Sequence, residues 1–260
     1  MELQYKNAVV TGAGRGMGRA ISLDLAEAGA NVAVADIDRE NVEGTSEEVK
    51  ELGRESVSIH ADMGSVADID RMIAEAKDAF GRIDIIVNNA GVTRYLYVMD
   101  VEEEDWDRIH RVNAKGVFFC MQRAAREMIA QGDGGRIINI ASVAGKGYSG
   151  TSNAAYAASK GAVLAMTMIA AHQLAPHNIN VNAICPGVTV TELSINNMRQ
   201  RAESTGVSIA ELEQARDARI PIGRANTPED IAAMARFLAG PGARNITGQG
   251  YNVDGGLVMH

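Results

Sequence analysis

Short apolar runs rich in Val, Ile and Ala alternate with longer segments of helical period along all 260 residues. Parallel strands need helical crossovers, and those helices cover both faces of the sheet, so this alternation predicts an α/β chain. The strand candidates are 7–11, 31–36, 56–60, 83–88, 135–141, 180–185 and 250–253. Helical stretches fall at about 16–28, 40–52, 66–80, 103–130, 154–175 and 228–239. The last carries its own start signal, with Thr227 as N-cap, Pro228 at the first helical position, and Glu229 and Asp230 at the positive end of the dipole. Seven strands predict a doubly wound parallel sheet in a single domain, 1–260. The polar stretch at about 188–224 fits no sheet element and is read as a substrate lid with a helix or two of its own.

Ligands on such sheets sit outside the carboxyl ends of the strands. The first strand runs into Thr11-Gly12-Ala13-Gly14-Arg15-Gly16-Met17-Gly18 and then a helix. Its spacing is TGxxxGxG rather than GxGxxG. Gly12, Gly16 and Gly18 permit a sharp strand-to-helix turn that brings backbone N–H groups, Met17 included, to a pyrophosphate. Asp36 ends the second strand, where a carboxylate can accept from both adenosine-ribose hydroxyls and repels a 2′-phosphate, which favours NAD over NADP. Arg15 and Arg39 argue the other way or are solvated loop charges. Asp62 and Met63 follow the third strand, where a carboxylate reaches an adenine amino group. Asn88-Asn89-Ala90-Gly91 follows the fourth and passes backbone under the ribose.

With these motifs stand Asn113, Ser142, Tyr156-xxx-Lys160, Pro186-Gly187, Ile246-Thr247-Gly248-Gln249 and Val253-Asp254-Gly255-Gly256. Together they make the chain resemble, end to end, the short-chain dehydrogenases/reductases, a family with a Rossmann fold. A free phenol with pKa near 10 is a weak base at neutral pH. On a helix Tyr156 and Lys160 lie one turn apart on one face, and a cation about 4–5 Å away would lower that phenol by two to three pH units.

The resemblance implies the roles. Tyr156 is the acid/base, Ser142 hydrogen-bonds the substrate oxygen, Lys160 also holds the nicotinamide ribose, and Asn113 positions a water leading to solvent. Pro186-Gly187 packs beside the nicotinamide and Thr191 bonds its carboxamide, while Thr189 stands where the family commonly has Val or Ile. Family geometry also suggests pocket walls at Thr93, Tyr95, Ala144, Tyr148, Asn153, Val188, Leu193 and Met198. The implied activity is NAD-linked oxidation of a small polyol, diol or other secondary alcohol. The alternatives are a 3-oxoacyl-thioester reductase of the acyl-carrier-protein type and a non-catalytic NAD-binding sensor. A carrier protein, being acidic, would want a basic docking face such as Arg108, Arg111 and Lys115, with Arg123 and Arg126 further along; a solvated or subunit-contact face is the competing reading. Small residues on the helices at 103–130 and 154–175, with the family's habit, imply a homotetramer of 222 symmetry.

The net charge of −8, from 25 basic and 33 acidic residues, speaks against nucleic acid and anionic membrane as partners. Cys120 and Cys185 offer no metal-ligand pair and read as buried thiols of a reducing compartment, with no metal expected. The N-terminus lacks a signal-peptide pattern and no apolar run is read as long enough to cross a bilayer, so a cytoplasmic location is expected.

Overall fold

The computed structural model describes residues 1–259, less the side chains of Leu193, Asn196, Asn197, Gln200, Arg201 and Ser204. Seven strands, β1 (Asn7–Thr11), β2 (Asn31–Asp36), β3 (Ser56–His60), β4 (Ile85–Asn88), β5 (Gly135–Ile140), β6 (Ile179–Pro186) and β7 (Gly250–Val253), form one sheet. Their order is β3-β2-β1-β4-β5-β6-β7 and every pairing is parallel. Strands β1, β4 and β6 are buried throughout, because both faces of the sheet are covered. The edge strands β3 and β7 are only partly buried.

Helices α1 (Gly16–Glu27), α2 (Arg39–Glu51) and α9 (Pro228–Ala239) cover one face. Ile21, Leu25, Val42, Val49, Ile231 and Leu238 pack there against Val10, Val32, Val34 and Ile138. On the other face lie α3 (Val66–Phe80), α5 (Val117–Gln131) and α6 (Ala154–Leu174). There Ile69, Met72, Ile73, Met121 and Met128 meet Val9, Ile59, Ile86 and Ile137. Each fully buried aliphatic of this kind contributes roughly 1.5–3 kcal/mol. The predicted cap of α9 forms, with the Asp230 carboxylate accepting from the Thr227 N–H at 2.8 Å.

Two expectations change and one, the helices of the stretch at 188–224, holds. The stretch at 103–130 is not one regular helix: α4 (Glu103–His110) passes through a π-helical turn, Arg111–Gly116, into α5. The polar stretch at 188–224 carries two helices, α7 (Glu192–Thr205) and α8 (Ile209–Asp217). Third, Ala154–His177, with 24 residues and an 18-residue window of mean hydropathy 1.3, is long and apolar enough to cross a bilayer by length and composition, because its many Ala and Met residues raise the average. In the fold it is a packing helix, with Ala155, Ser159, Lys160, Val163 and Thr167 buried.

Candidate active site

The connection leaving β1 turns to one side of the sheet and that leaving β4 to the other, so a crevice opens between their carboxyl ends. Thr11 and Asn89 hold it open. The Thr11 hydroxyl oxygen accepts from the N–H groups of Asn89 and Ala90, both at 3.1 Å. The Asn89 amide donates to the carbonyls of Thr11 and Gly12 at 3.0 and 2.9 Å. Helix α1 then starts so close to this turn that a methyl group on Gly18 would lie 2.0 Å from the Gly12 carbonyl oxygen. Its first turn, Gly16-Met17-Gly18-Arg19, carries no carboxylate and Arg15 provides no side-chain cap. The unpaired N–H groups of that end are left for an anion.

A cleft of about 440 Å³ follows these strand ends. Gly12, Arg15, Gly16, Met17, Asp36, Asp62, Met63, Asn89, Gly91 and Thr191 line it; Gly18, Tyr156, Lys160, Pro186, Gly187 and Thr189, expected with them, do not. Asp36 is half-buried, and its two oxygens accept from the N–H groups of Gly14 at 2.9 Å and Asp38 at 3.0 Å. A carboxylate has about four acceptor sites, so two remain for hydroxyl donors. Asp62 accepts from the Gly64 N–H at 2.7 Å. Arg15 stands 3.8 Å from Glu192 in an exposed pair that links the glycine turn to α7. Arg39 is exposed at the start of α2. Arg108 and Arg111, read from sequence as a docking or solvated face, instead line the same cleft, together with Val112. Their i, i+3 spacing was the available signal; the π-helical turn beside them was not legible.

The cleft suits a dinucleotide on its own geometry. The close packing at Gly18 leaves room for backbone approach. Asn89 Oδ1 and Thr189 Oγ1 are buried without a hydrogen-bond partner among the described residues. Thr191 caps α7, its oxygen accepting from the Ser194 N–H at 3.3 Å, and retains its hydroxyl proton for a further acceptor. Gly187 is pinned beside β7, its N–H donating to the Val253 carbonyl at 2.9 Å, and Pro186 closes β6 next to it.

The reacting groups come from β5 and α6. Ser142 follows β5, and its oxygen accepts from the Ala144 N–H at 3.1 Å. The turn after it fits so tightly on α6 that a methyl group on Gly145 would lie 2.6 Å from the Lys160 carbonyl carbon. That contact brings Ser142 into hydrogen bonding with the half-buried Tyr156. Lys160 is 3% exposed; its ammonium donates to the Ile140 carbonyl at 2.7 Å and stands 5.8 Å from the Tyr156 ring centre.

The electrostatics correct one expectation. Burial raises Tyr156 above the ordinary tyrosine value, with the Ser142 hydrogen bond opposing it. The phenol's balance is set by burial and Ser142 rather than by the lysine, which burial itself lowers to about 8.

Asn113 is fully buried in the π-helical turn, where its oxygen accepts from the Val92 N–H at 2.8 Å. Its amide nitrogen donates to the Val92 carbonyl at 2.9 Å and to Ser159 Oγ at 3.2 Å. Of the predicted pocket walls, Ala144 is buried beside Ser142 and Tyr95 is largely exposed. Thr93 and Asn153 hydrogen-bond each other, and the Leu193 side chain lies outside the described residues. Both cysteines are free and buried.

A family model described as enoyl-(acyl carrier protein) reductase matches residues 12–258. The sorbitol dehydrogenase of Cereibacter sphaeroides is 41% identical over 259 residues, covering all of both chains. The chain belongs to the short-chain dehydrogenase/reductase family. A 3-oxoacyl-(acyl-carrier-protein) reductase of Staphylococcus aureus is 40% identical over 98% of each chain. The solved structure of an NAD+-bound xylitol dehydrogenase overlays with a TM-score of 0.91 at 32% identity, over 98% of this chain and 100% of that one. The protein is an oxidoreductase of the short-chain dehydrogenase/reductase family, whose cofactor is a nicotinamide nucleotide.

Proposed function

We propose that the protein is an NAD-dependent dehydrogenase that oxidises a secondary hydroxyl of a small polyol or diol. The observation that carries this reading is the meeting of Tyr156 and Ser142 near a buried Lys160, whose ammonium lies 3.5 Å from where a methyl group on Gly91 would stand, in the lining of the cleft that Asp36 also lines. When bound, the cofactor accepts hydride at its oxidised ring and brings a positive charge. The rest is done by the chain. Ser142 donates a hydrogen bond to the substrate oxygen and Tyr156 takes the hydroxyl proton as hydride leaves the same carbon. Lys160 offers a cation below the phenol and reaches toward the nicotinamide ribose. Asn113 holds the Val92 backbone and a water route to solvent.

Asp36 supports NAD, since a 2′-phosphate would meet the carboxylate in a cleft that already fixes both its oxygens. Helices α7 and α8 serve as the lid, in keeping with the Arg15–Glu192 pair. Exposed Phe118 and Ile129 on α5, and Met168 and Ile169 on α6, support a homotetramer built on these helices. Light scattering at micromolar concentration should return four times the chain mass; a monomer mass would count against the assembly.

The acyl-carrier reductase reading is favoured by the 40% identity to the Staphylococcus aureus protein. One experiment separates the two. Initial rates with NAD and NADP across polyols, diols, hydroxy acids and 3-oxoacyl thioesters should show at least a tenfold higher kcat/KM with NAD, and turnover of polyols or diols. Preferred reduction of thioesters with NADPH would overturn the proposal.

A further inference from the structure

Helix α6 begins immediately after Asn153, which is extended (φ −171°, ψ 169°) and 4% exposed. Its side chain makes three bonds. The oxygen accepts from the Tyr156 N–H at 2.6 Å; the amide nitrogen donates to the Arg94 carbonyl at 2.7 Å and to Thr93 Oγ1 at 3.3 Å. Thr93 also shares a hydrogen bond with the Ser152 hydroxyl at 2.6 Å, and the Leu96 N–H donates to the Ser152 carbonyl at 3.0 Å. The strap 92–96 is thus fastened to the start of the helix that carries the phenol.

The same strap is fastened a second time. Asn113 grips both backbone groups of Val92 and donates to Ser159 Oγ, and the Ser159 hydroxyl donates to the Tyr156 carbonyl at 2.7 Å. The N–H and the C=O of Tyr156 are therefore each held by a side chain, and both holds lead to 92–96. The Tyr156 N–H is one of the four that a helix start leaves without an internal partner. A tilt of roughly 10° in that first turn carries a phenolic oxygen about 1 Å, a displacement that can cost on the order of 10²-fold in rate.

We propose that Asn153 is a positioning residue that couples the strap Thr93–Leu96, as a wall of the substrate pocket, to the orientation of Tyr156. One amide does both, because its acceptor fixes the helix and its donor fixes the strap. The proposal rests on the reading of Tyr156 as the acid/base.

The test uses Asn153→Ala, Asn153→Asp and Thr93→Val in the full chain, with Tyr156→Phe as control. Turnover is followed with sorbitol or the fastest alcohol of the panel, NADH affinity by fluorescence, and folding by thermal melting. Asn153→Ala should lower kcat on the order of 10²-fold and raise KM for the alcohol, with the NADH Kd within twofold of wild type. Aspartate is an efficient N-cap, so Asn153→Asp should recover the melting midpoint. It would face the Arg94 carbonyl with an acceptor, so kcat/KM should stay at least tenfold low. Thr93→Val leaves the cap intact and should raise KM for the alcohol alone. The proposal is overturned if Asn153→Ala keeps kcat within threefold, or if Asn153→Asp restores turnover along with stability, as a plain helix cap would. Wild-type turnover by Tyr156→Phe would instead remove the acid/base reading beneath it.

Discussion

Replacing Tyr156 with Phe is expected to lower kcat by about 10²–10⁴-fold while NADH binds within twofold of wild type. The substitution deletes one oxygen, the one hydrogen-bonded to Ser142, and keeps the ring beside Lys160. The residues proposed to hold the cofactor line the cleft between Asp36 and Thr191, so affinity measured by fluorescence should report them separately. The wild type should also show a pH signature. Because burial raises the phenol, it is protonated at neutral pH, and the rate of alcohol oxidation should climb through the alkaline range. Equal, slow reduction of NAD by wild type and variant, both binding the cofactor, would place the protein among non-catalytic sensors.

Lys160→Met is expected to abolish measurable turnover and, at pH 7, to make the fold more stable. Moving a lysine from its ordinary 10.5 to about 8 corresponds to roughly 3 kcal/mol against folding with the charge in place. Methionine removes that charge but leaves the Ile140 carbonyl without its donor, which returns about 1–2 kcal/mol. A net gain of about 1–2 kcal/mol remains, or a few degrees in Tm for a domain of this size. The gain has a pH dependence of known sign. Below about 8 both folded and unfolded wild type hold the proton, so the full penalty stands. Between about 8 and 10.5 the unfolded chain binds more protons, wild-type stability rises, and the advantage of the variant shrinks. Urea melts of both proteins at pH 7 and pH 10 measure this. A variant less stable than wild type at both values would show that the carbonyl bond outweighs the buried charge.

The parts of the site that were legible from sequence are those in which residue type dictates geometry. A strand end followed by TGxxxGxG has few backbone solutions, and a carboxylate closing β2 can only sit beside that turn. Asp36, Gly18 and Thr191 stand where the pattern places them. What was missed depends on packing that no spacing encodes. Arg108 and Arg111 read as an outer face on a regular helix through 103–130, whereas both line the cleft, at and just before the wider turn Arg111–Gly116. Asn153 read as pocket lining, yet its amide is consumed by the helix start and the strap. The distance between Lys160 and the phenol carries no sign of the burial that raises the phenol itself.

The wide turn that buries Asn113 also limits how this protein can be stabilised. It holds one residue more than an α-helical turn, bonding i to i+5. Deleting any residue between Arg111 and Gly116 would restore regular bonding, the change a designer seeking rigidity would make first. It would leave α4 and α5 in their present phase, with Ile109 still in the core, but draw in the wide turn and take the Asn113 amide off Val92. The irregularity belongs to the Asn113 contacts rather than to the helix, and straightening it would trade the enzyme for a better-formed rod.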